Sequence, residues 1–467
     1  AIGGKDSMSG TFEELTVPPT LVSFAVTTGT VPEIVSNEFK GAGHTVVLIG
    51  PDCDAEGLPT AESLRRVFDT VHALTADGRA LAVYTPTYGG VAEAVMKMCL
   101  GNRVGFRYAD GVGLEDIFGY RYGSFVVELA DGASAEGVSL GETTEAYALR
   151  FGGEAVSLTE LQALYEDKLE PVYPCNIPAA GKKIPAFSYK AKTRPTAIIG
   201  AARPKVLIPV FPGTNCEYDT ARVLRDAGAE PETIIIANRT PKHIAASTER
   251  FAEALRTAQM VFLPGGFSGG DEPDGSGKFI TAFFRSEAVK AGVTELLDRR
   301  GGLMAGICNG FQALIKLGLV PYGRIIDTDE RCPTLTYNTI GRHQSRLVRT
   351  RIASNLSPWL AATEVGDIYT VAISHGEGRF LAEEALIRSL AENGQIATQY
   401  VGPDGMPTDD VRYNPNDSVL AVEGITSPDG RVFGKMGHSE RIGEGLYKNV
   451  PGAYDMRMFE SAVRFFR

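Results

Sequence analysis

The sequence predicts an α/β protein, with an α+β domain in its first half and a parallel sheet covered by helices in its second. Three observations carry that expectation. After residue 205, apolar runs of strand length alternate with helical stretches, the pattern of strands joined by helical crossovers. Three of those runs end in glycine-bearing loops, PGTN, PGGF and GICNG. A stretch rich in proline and lysine, residues 165–204, separates the two textures and reads as an extended connector laid over a surface.

Composition narrows the class. The chain has 467 residues, 43% hydrophobic and 22% charged, with net charge −11, so no basic field recruits nucleic acid or an anionic membrane. No apolar run approaches the roughly 18 residues of a membrane span. Six cysteines are scattered without a CxxC pair. That usage fits a reducing cytosol, hence a cytoplasmic location, and argues against a disulfide framework or a zinc site. The opening AIGGKDSMSG lacks a signal-peptide pattern and any strand or helix run-up, and the expectation is that the chain begins inside a longer polypeptide.

In order, residues 1–29 hold a Gly-Gly-Lys-Asp-Ser loop and an apolar strand at 20–26. Gly4, Lys5, Asp6 and Ser7 are a candidate phosphate cradle, with Asp6 as a candidate Mg²⁺ ligand, because close backbone amides, a lysine and a carboxylate suit that chemistry. An ordinary turn accounts for the same residues. Residues 30–166 read as α+β: strands at 45–49, 80–85 and 123–128, and helices at 61–74 and 91–100. The first helix carries Leu64, Val67, Phe68, Val71 and Leu74 at helical spacing.

From residue 205 the expected strands are 206–211, 233–237, 260–263 and 303–307, with a helix after PGTNCEYD closed by Gly228, another around 251–255 and a third at 287–299. Function in such sheets gathers at the carboxyl ends of the strands, so PGTN, PGGF and GICNG should converge. In the last of these, Cys308 stands between a buried strand and a helix at 311–319, with Gly306 and Gly310 two residues either side. That is the pattern of a tight turn presenting a nucleophile, and a thiol at a helix start feels the positive end of the helix dipole. A structural cysteine in a βα turn is the bland alternative.

A nucleophile needs a base, an orienting group and an oxyanion hole. Of six histidines, His375 in VAISHGEGRF and His438 in VFGKMGHSERIG each have a glutamate two residues on, Glu377 and Glu440. Local sequence does not choose between them. His44, His72, His243 and His343 have no comparable frame and read as surface or packing residues. The amides of Asn309 and Gly266 are the candidate oxyanion donors. Cys216, after Asn215 at the right end of the sheet, competes as nucleophile without the glycine frame.

Residues 205–467 resemble the class I (triad) glutamine amidotransferases, in particular the glutaminase domain of the phosphoribosylformylglycinamidine synthase family, through VFPGTNCEYD, LPGGFSGGD, GICNGFQAL, ISHGEGRF and GHSER in that order. The resemblance implies a flavodoxin-like fold and a triad of Cys308, His438 and Glu440. It places Gly265, Gly266, Asn309, Gln312, Gly213 and Asn215 at the oxyanion and glutamine site. His375 and Glu377 then lie in a second motif, lining the glutamine site or an interface. Ser439 stands where many relatives have proline, which bears on the stiffness of that loop.

GGKDSMSG with VPPTLVSFAV resembles the end of an aminoimidazole ribonucleotide synthetase-like (AIRS-like) ATP-binding domain. This implies four segments: 1–29, the tail of that domain; 30–166, an AIRS-like C-terminal domain; 167–204, a connector; and 205–467, the glutaminase domain. Thr87-Tyr88-Gly89-Gly90 replaces the Ser-Asp-Gly-Gly frequent in relatives, as in a copy whose nucleotide site is auxiliary. The implied reaction takes ammonia from L-glutamine for ATP- and Mg²⁺-dependent conversion of formylglycinamide ribonucleotide to its amidine. A further synthetase half would hold most of the nucleotide and substrate contacts. A cysteine peptidase or amidase of another kind, or a catalytically silent interaction domain, are the competing classes; labelling by a glutamine analogue separates them.

Overall fold

A computed structural model describes residues 3–7, 10–12, 14–172, 177–178, 181–267 and 277–467. The side chains of residues 3–7, 10, 12, 15, 17 and 20 lie outside that description. The chain forms two units, Ala1–Pro171 and Val172–Arg467.

In the first unit, Gly3–Ser7 is a strand rather than the expected loop, paired antiparallel with Thr20–Phe24, Gly4 facing Ser23. The backbone meant to wrap a phosphate at Gly4, Lys5, Asp6 and Ser7 is therefore extended and laddered, and the Asp6 carboxylate is outside the described residues. A seven-stranded sheet follows, in the order Glu154–Ser157, Ala148–Phe151, Gly105–Tyr108, Val138–Thr144, Thr45–Ile49, Phe125–Leu129, Ala80–Tyr84.

Strand alternation sorts its two cores. Val46 and Leu48 pack with Val91, Val95 and Met98 of helix Gly90–Leu100 on one face. Val47 and Ile49 pack with Val67, Val71 and Leu74 of helix Ala61–Ala76 on the other. Thr60 caps that second helix through Ser63 N. Phe68, expected on its apolar face, is 50% exposed and stands edge-on to Phe125. His44, expected at the surface or in packing, bonds the buried Glu128 at 2.7 Å, and the same carboxylate accepts the Lys40 N–H.

The second unit is built on a nine-stranded sheet. Its strands in chain order are β1 (Lys205–Val210), β2 (Glu230–Ile235), β3 (Met260–Leu263), β4 (Leu303–Ile307), β5 (Gln344–Ile352), β6 (Ile368–His375), β7 (Ile396–Val401), β8 (Val422–Thr426) and β9 (Val432–Lys435). Across the sheet the order is β2-β1-β3-β4-β9-β8-β7-β5-β6. Pairing is parallel from β2 to β9 and antiparallel from β9 to β6. The parallel half matches the α/β expectation, and the antiparallel half extends it.

The longer α-helices of this unit are α1 (Glu217–Asp226), α2 (Pro241–Leu255), α3 (Lys278–Arg285), α4 (Glu287–Thr294), α5 (Asn309–Leu317), α6 (Glu384–Glu392) and α7 (Met458–Arg464), and a four-residue turn of helix, Leu319–Tyr322, follows α5. α4 passes directly into a π-helical stretch, Glu295–Arg299. β3 and β4 are buried along their whole length, as central parallel strands must be. One continuous core joins β1, β3, β4, β9 and their helices, with Phe262, Phe311, Phe433 and Trp359 fully enclosed.

Residues 181–204 run along this unit. Tyr189 makes a parallel bridge to Ser354, Phe187 N bonds Gln399 Oε1, and Ala201 N bonds Phe466 O. Among the described residues no helix is long and apolar enough to cross a membrane.

Candidate active site

The parallel register sets the site. Leu263 pairs with Gly306, and Ile307 with Lys435, so β3, β4 and β9 end at one edge and deliver Gly265, Cys308 and His438 to the same place. Cys308 holds φ +53° and ψ −110° between β4 and α5. A non-glycine residue there is strained, and such strain belongs to turns that aim a nucleophile.

The flanking glycines are a steric requirement. A Cβ at Gly310 would meet Leu263 O at 2.1 Å, and one at Gly306 would meet the Gly310 backbone at 2.6 Å. The turn is pinned by Cys308 N–H donating to Lys435 O at 2.9 Å and by Gln312 N–H donating to Cys308 O at 3.0 Å. Cys308 is 5% exposed, and its thiol lies 3.9 Å from Ser374 O.

His438 follows β9 in a loop anchored by its own N–H on Ala372 O at 2.8 Å. Its Nδ1 is 2.5 Å from Glu440 Oε1, with both side chains buried. Its Nε2 has no hydrogen-bond partner among the described residues. Burial opposes an imidazolium here, but the Glu440 carboxylate, helped by the Cys216 and Cys308 thiols, outweighs it and holds the His438 pKa well above the usual imidazole value. Burial likewise pushes Glu440 up, and the facing His438 more than reverses it, leaving the carboxyl below its ordinary value.

The second His-x-Glu frame is unlike the first. Neither ring nitrogen of His375 has a partner among the described residues, so Glu377 does not orient it. Burial, with His438 and His343 nearby, pushes His375 down to about 3. Glu377 instead opens a strand, Glu377–Leu381, paired with Thr334–Tyr337. The turn still borders Cys308, since Ser374 O faces its thiol. His343, expected in packing or at the surface, bonds Ser374 Oγ through Nε2 at 3.0 Å and so reaches the rim of the site.

The PGTN and PGGF loops meet as expected. Asn215 N–H donates to Gly265 O, Phe267 N–H to Gly213 O, and Thr214 bridges Gly266. A Cβ at Gly265 would fall 2.7 Å from His438 Cε1, 3.2 Å from Cys216 Sγ and 3.5 Å from Cys308 Cβ. Both cysteine side chains and the imidazole thus crowd the place a Gly265 side chain would take. Residues 268–276, the rest of the glycine-rich loop, lie outside the described residues. Gln312 accepts from Asn309 Nδ2 at 3.0 Å and donates to Glu377 O at 2.5 Å. Its amide therefore ties α5 to the His375 turn.

Cys216 is the N-cap of α1, 2% exposed, with ordinary backbone angles. Its Sγ lies 3.8 Å from His438 Nδ1 and accepts from Arg441 Nη2 at 3.4 Å. Cys216, His438 and Glu440 present donor atoms all within 4.8 Å of one another, a mixed sulfur, nitrogen and oxygen cluster.

Sequence reasoning missed the residues that support this loop: Arg222, which donates to Glu440 O and Ile442 O, and the buried pair Lys435 and Glu423. The signal for that pair was present. VFGKM and LAVEGIT each carry a single charge inside an otherwise apolar strand, and the charges are opposite.

Comparison with known proteins places the second unit. The family model described as the CobB/CobQ-like glutamine amidotransferase domain matches residues 203–466. Phosphoribosylformylglycinamidine synthase subunit PurQ of Gloeobacter violaceus is 33% identical over 259 residues, 56% of this chain and 97% of that protein. The subunit of the same name from Methanococcus maripaludis is 34% identical over 255 residues, 54% of this chain and 87% of that one. Among solved structures, that of PurLQS from Thermotoga maritima aligns over 57% of this chain and 100% of its own, at 24% identity and a TM-score of 0.41. With that family model covering more than half of its length, the chain belongs to the CobB/CobQ-like glutamine amidotransferases.

Proposed function

We propose that the second unit is a glutaminase whose triad is Cys308, His438 and Glu440, and that it supplies ammonia to a synthetase making formylglycinamidine ribonucleotide. The carrying observation is the buried His438–Glu440 contact at 2.5 Å beside a cysteine held at φ +53°. Cys308 Sγ attacks the carbonyl carbon of the glutamine side-chain amide, and the carbonyl π electrons move to oxygen. The amides of Asn309 and Gly266 receive that oxyanion. His438, oriented by Glu440, gives its proton to the leaving nitrogen as the C–N bond breaks and ammonia departs. Water then attacks the glutamyl thioester, giving glutamate and restoring the thiol.

The synthetase assignment rests on the names of the PurQ relatives and on motif resemblance, with residues 1–29 and 30–166 as AIRS-like segments, 167–204 as connector and 205–467 as the glutaminase. ATP and Mg²⁺ belong to that second reaction, with formylglycinamide ribonucleotide as substrate. The described residues of the first unit do not fit a nucleotide phosphate at the Thr87–Gly90 turn. There the Glu93 carboxylate already accepts from Gly89 N–H at 2.9 Å and from Thr87 Oγ1 at 3.1 Å. No ATP-dependent step is therefore assigned to these residues.

The test is covalent labelling of the full chain with the glutamine analogue 6-diazo-5-oxonorleucine, read by peptide mass spectrometry beside glutamate release. One adduct on Cys308, lost together with glutamine hydrolysis in Cys308→Ala, is the expected result. Labelling on Cys216 instead, or glutaminase surviving in Cys308→Ala, overturns the assignment.

A further inference from the structure

The loop that carries His438 is braced from beneath by an ion pair with no solvent access. Lys435 Nζ and Glu423 Oε1 are 3.6 Å apart, and both side chains are fully buried. A charge pair this deep costs desolvation that Coulomb attraction alone rarely repays, so such a pair is weak evidence for stability. Where its hydrogen bonds go is more informative.

Lys435 Nζ donates to Ser439 Oγ at 2.8 Å and to Gly437 O at 3.2 Å. Glu423 Oε1 accepts the Gly437 N–H at 2.6 Å, and its other oxygen accepts from Thr398. Every one of the loop contacts lands on a residue next to His438. Lys435 also works at its other end, where its main-chain carbonyl accepts the Cys308 N–H at 2.9 Å. A single residue thus holds the nucleophile's backbone with its carbonyl and the histidine's neighbours with its ammonium. Space is tight as well: a Cβ at Gly437 would lie 3.0 Å from Glu423 Oε1 and 2.6 Å from Val371.

We propose that Lys435 and Glu423 are positioning residues for the triad, fixing the distance and angle between Cys308 and His438 by clamping Gly437 and Ser439 on either side of the imidazole. This rests on the glutaminase reading above. A misplacement of about 1 Å between reacting groups costs on the order of 10²-fold in rate, and a serine-flanked loop has no ring of its own to stiffen it. Ser439 Oγ, enclosed and bonded to Lys435 and to Met456 Sδ at 3.6 Å, supplies that stiffness through the clamp.

The test uses the full chain with the neutral pair Lys435→Met/Glu423→Gln, which removes both charges together and keeps an acceptor for the Gly437 amide. Steady-state glutaminase and the rate of Cys308 alkylation by the diazo analogue are measured beside thermal unfolding. A folded variant is expected to show kcat at least tenfold lower, with KM for glutamine within about twofold, and a matching slowing of alkylation. Parent-like kcat and alkylation in a folded variant overturn the proposal. If that double variant does not fold, Ser439→Ala decides: it leaves the ion pair intact and removes one clamp point. A threefold or larger fall in kcat at unchanged KM supports the clamp, and no fall overturns it. A parent protein that neither hydrolyses glutamine nor is alkylated would instead sink the glutaminase reading, so the two failures are distinct.

Discussion

His438 Nδ1 and Glu440 Oε1 stand 2.5 Å apart, with 1% and 0% of their side chains exposed. An enclosed carboxylate at that distance fixes which ring nitrogen carries the proton and leaves the other, Nε2, for chemistry.

Replacing Glu440 with glutamine keeps the shape and removes the charge. Glutaminase kcat should fall by about 10²-fold or more, the scale of a lost acid–base arrangement. The charge is what outweighs burial to raise the His438 pKa above the usual imidazole value. In the parent, activity should therefore persist through neutral pH and fall on the alkaline side, as the imidazolium loses the proton it must deliver. In Glu440→Gln that limb should move to lower pH. A pH–rate profile of both proteins checks this.

His375 bears on stability. Its folded pKa, pushed down to about 3 by burial and by His438 and His343, lies below the unfolded value of 6.5. As pH falls below 6.5 the unfolded chain takes up a proton that the native ring refuses. Its contribution is therefore fully present above pH 6.5 and is lost progressively down to about 3, with a slope approaching about 1.4 kcal/mol per pH unit. His375→Gln should unfold with a flatter dependence than the parent between pH 6 and pH 4. Equal slopes in urea melts would contradict it.

Cys216 touches the same imidazole yet lacks the strained turn that aims Cys308. Cys216→Ser should retain glutaminase within about fivefold, an energetic change on the order of 1 kcal/mol. Steady-state assays on that variant, set beside Cys308→Ala, separate bystander from nucleophile.

Gly310 has no space to grow. Gly310→Ala would drive a methyl against Leu263 O at the end of β3, and overpacking of a rigid backbone contact costs roughly 3 kcal/mol or more. The variant should melt several degrees lower than the parent, and its Cys308 should lose selective alkylation. Calorimetry and peptide mapping read the two effects.

Local rules made the Cys308 turn legible. Apolar runs marked β3 and β4, and the spacing of Gly306, Cys308 and Gly310 marked the bend, because each depends on a few adjacent residues. The two histidine frames were indistinguishable for the same reason. What separates them is long-range: Glu440 is buried against His438, whereas Glu377 is drawn into pairing with Thr334–Tyr337. The Gly4–Ser7 stretch was misread as a loop because its glycines suggested a turn while the partner strand, Thr20–Phe24, supplies the extended ladder. The antiparallel half of the sheet stayed hidden too. β5 reads QSRLVRTRI, and its arginines donate to Arg412 O, Gly402 O and Phe187 O.

β4 and β9 are direct neighbours in the sheet although residue 307 pairs with residue 435. Contacts so far apart along the chain must await closure of a long loop, and such contacts form slowly. During synthesis or refolding, β1, β3 and β4 can assemble around Cys308 before β9 exists to close the sheet beside them. The thiol would then stand in its turn without an imidazole, and with no carbonyl of Lys435 to hold its amide. Assembly of the Cys308 site therefore depends on a pairing between residues 307 and 435, and a chain that has not yet formed it holds the cysteine apart from the rest of the cluster.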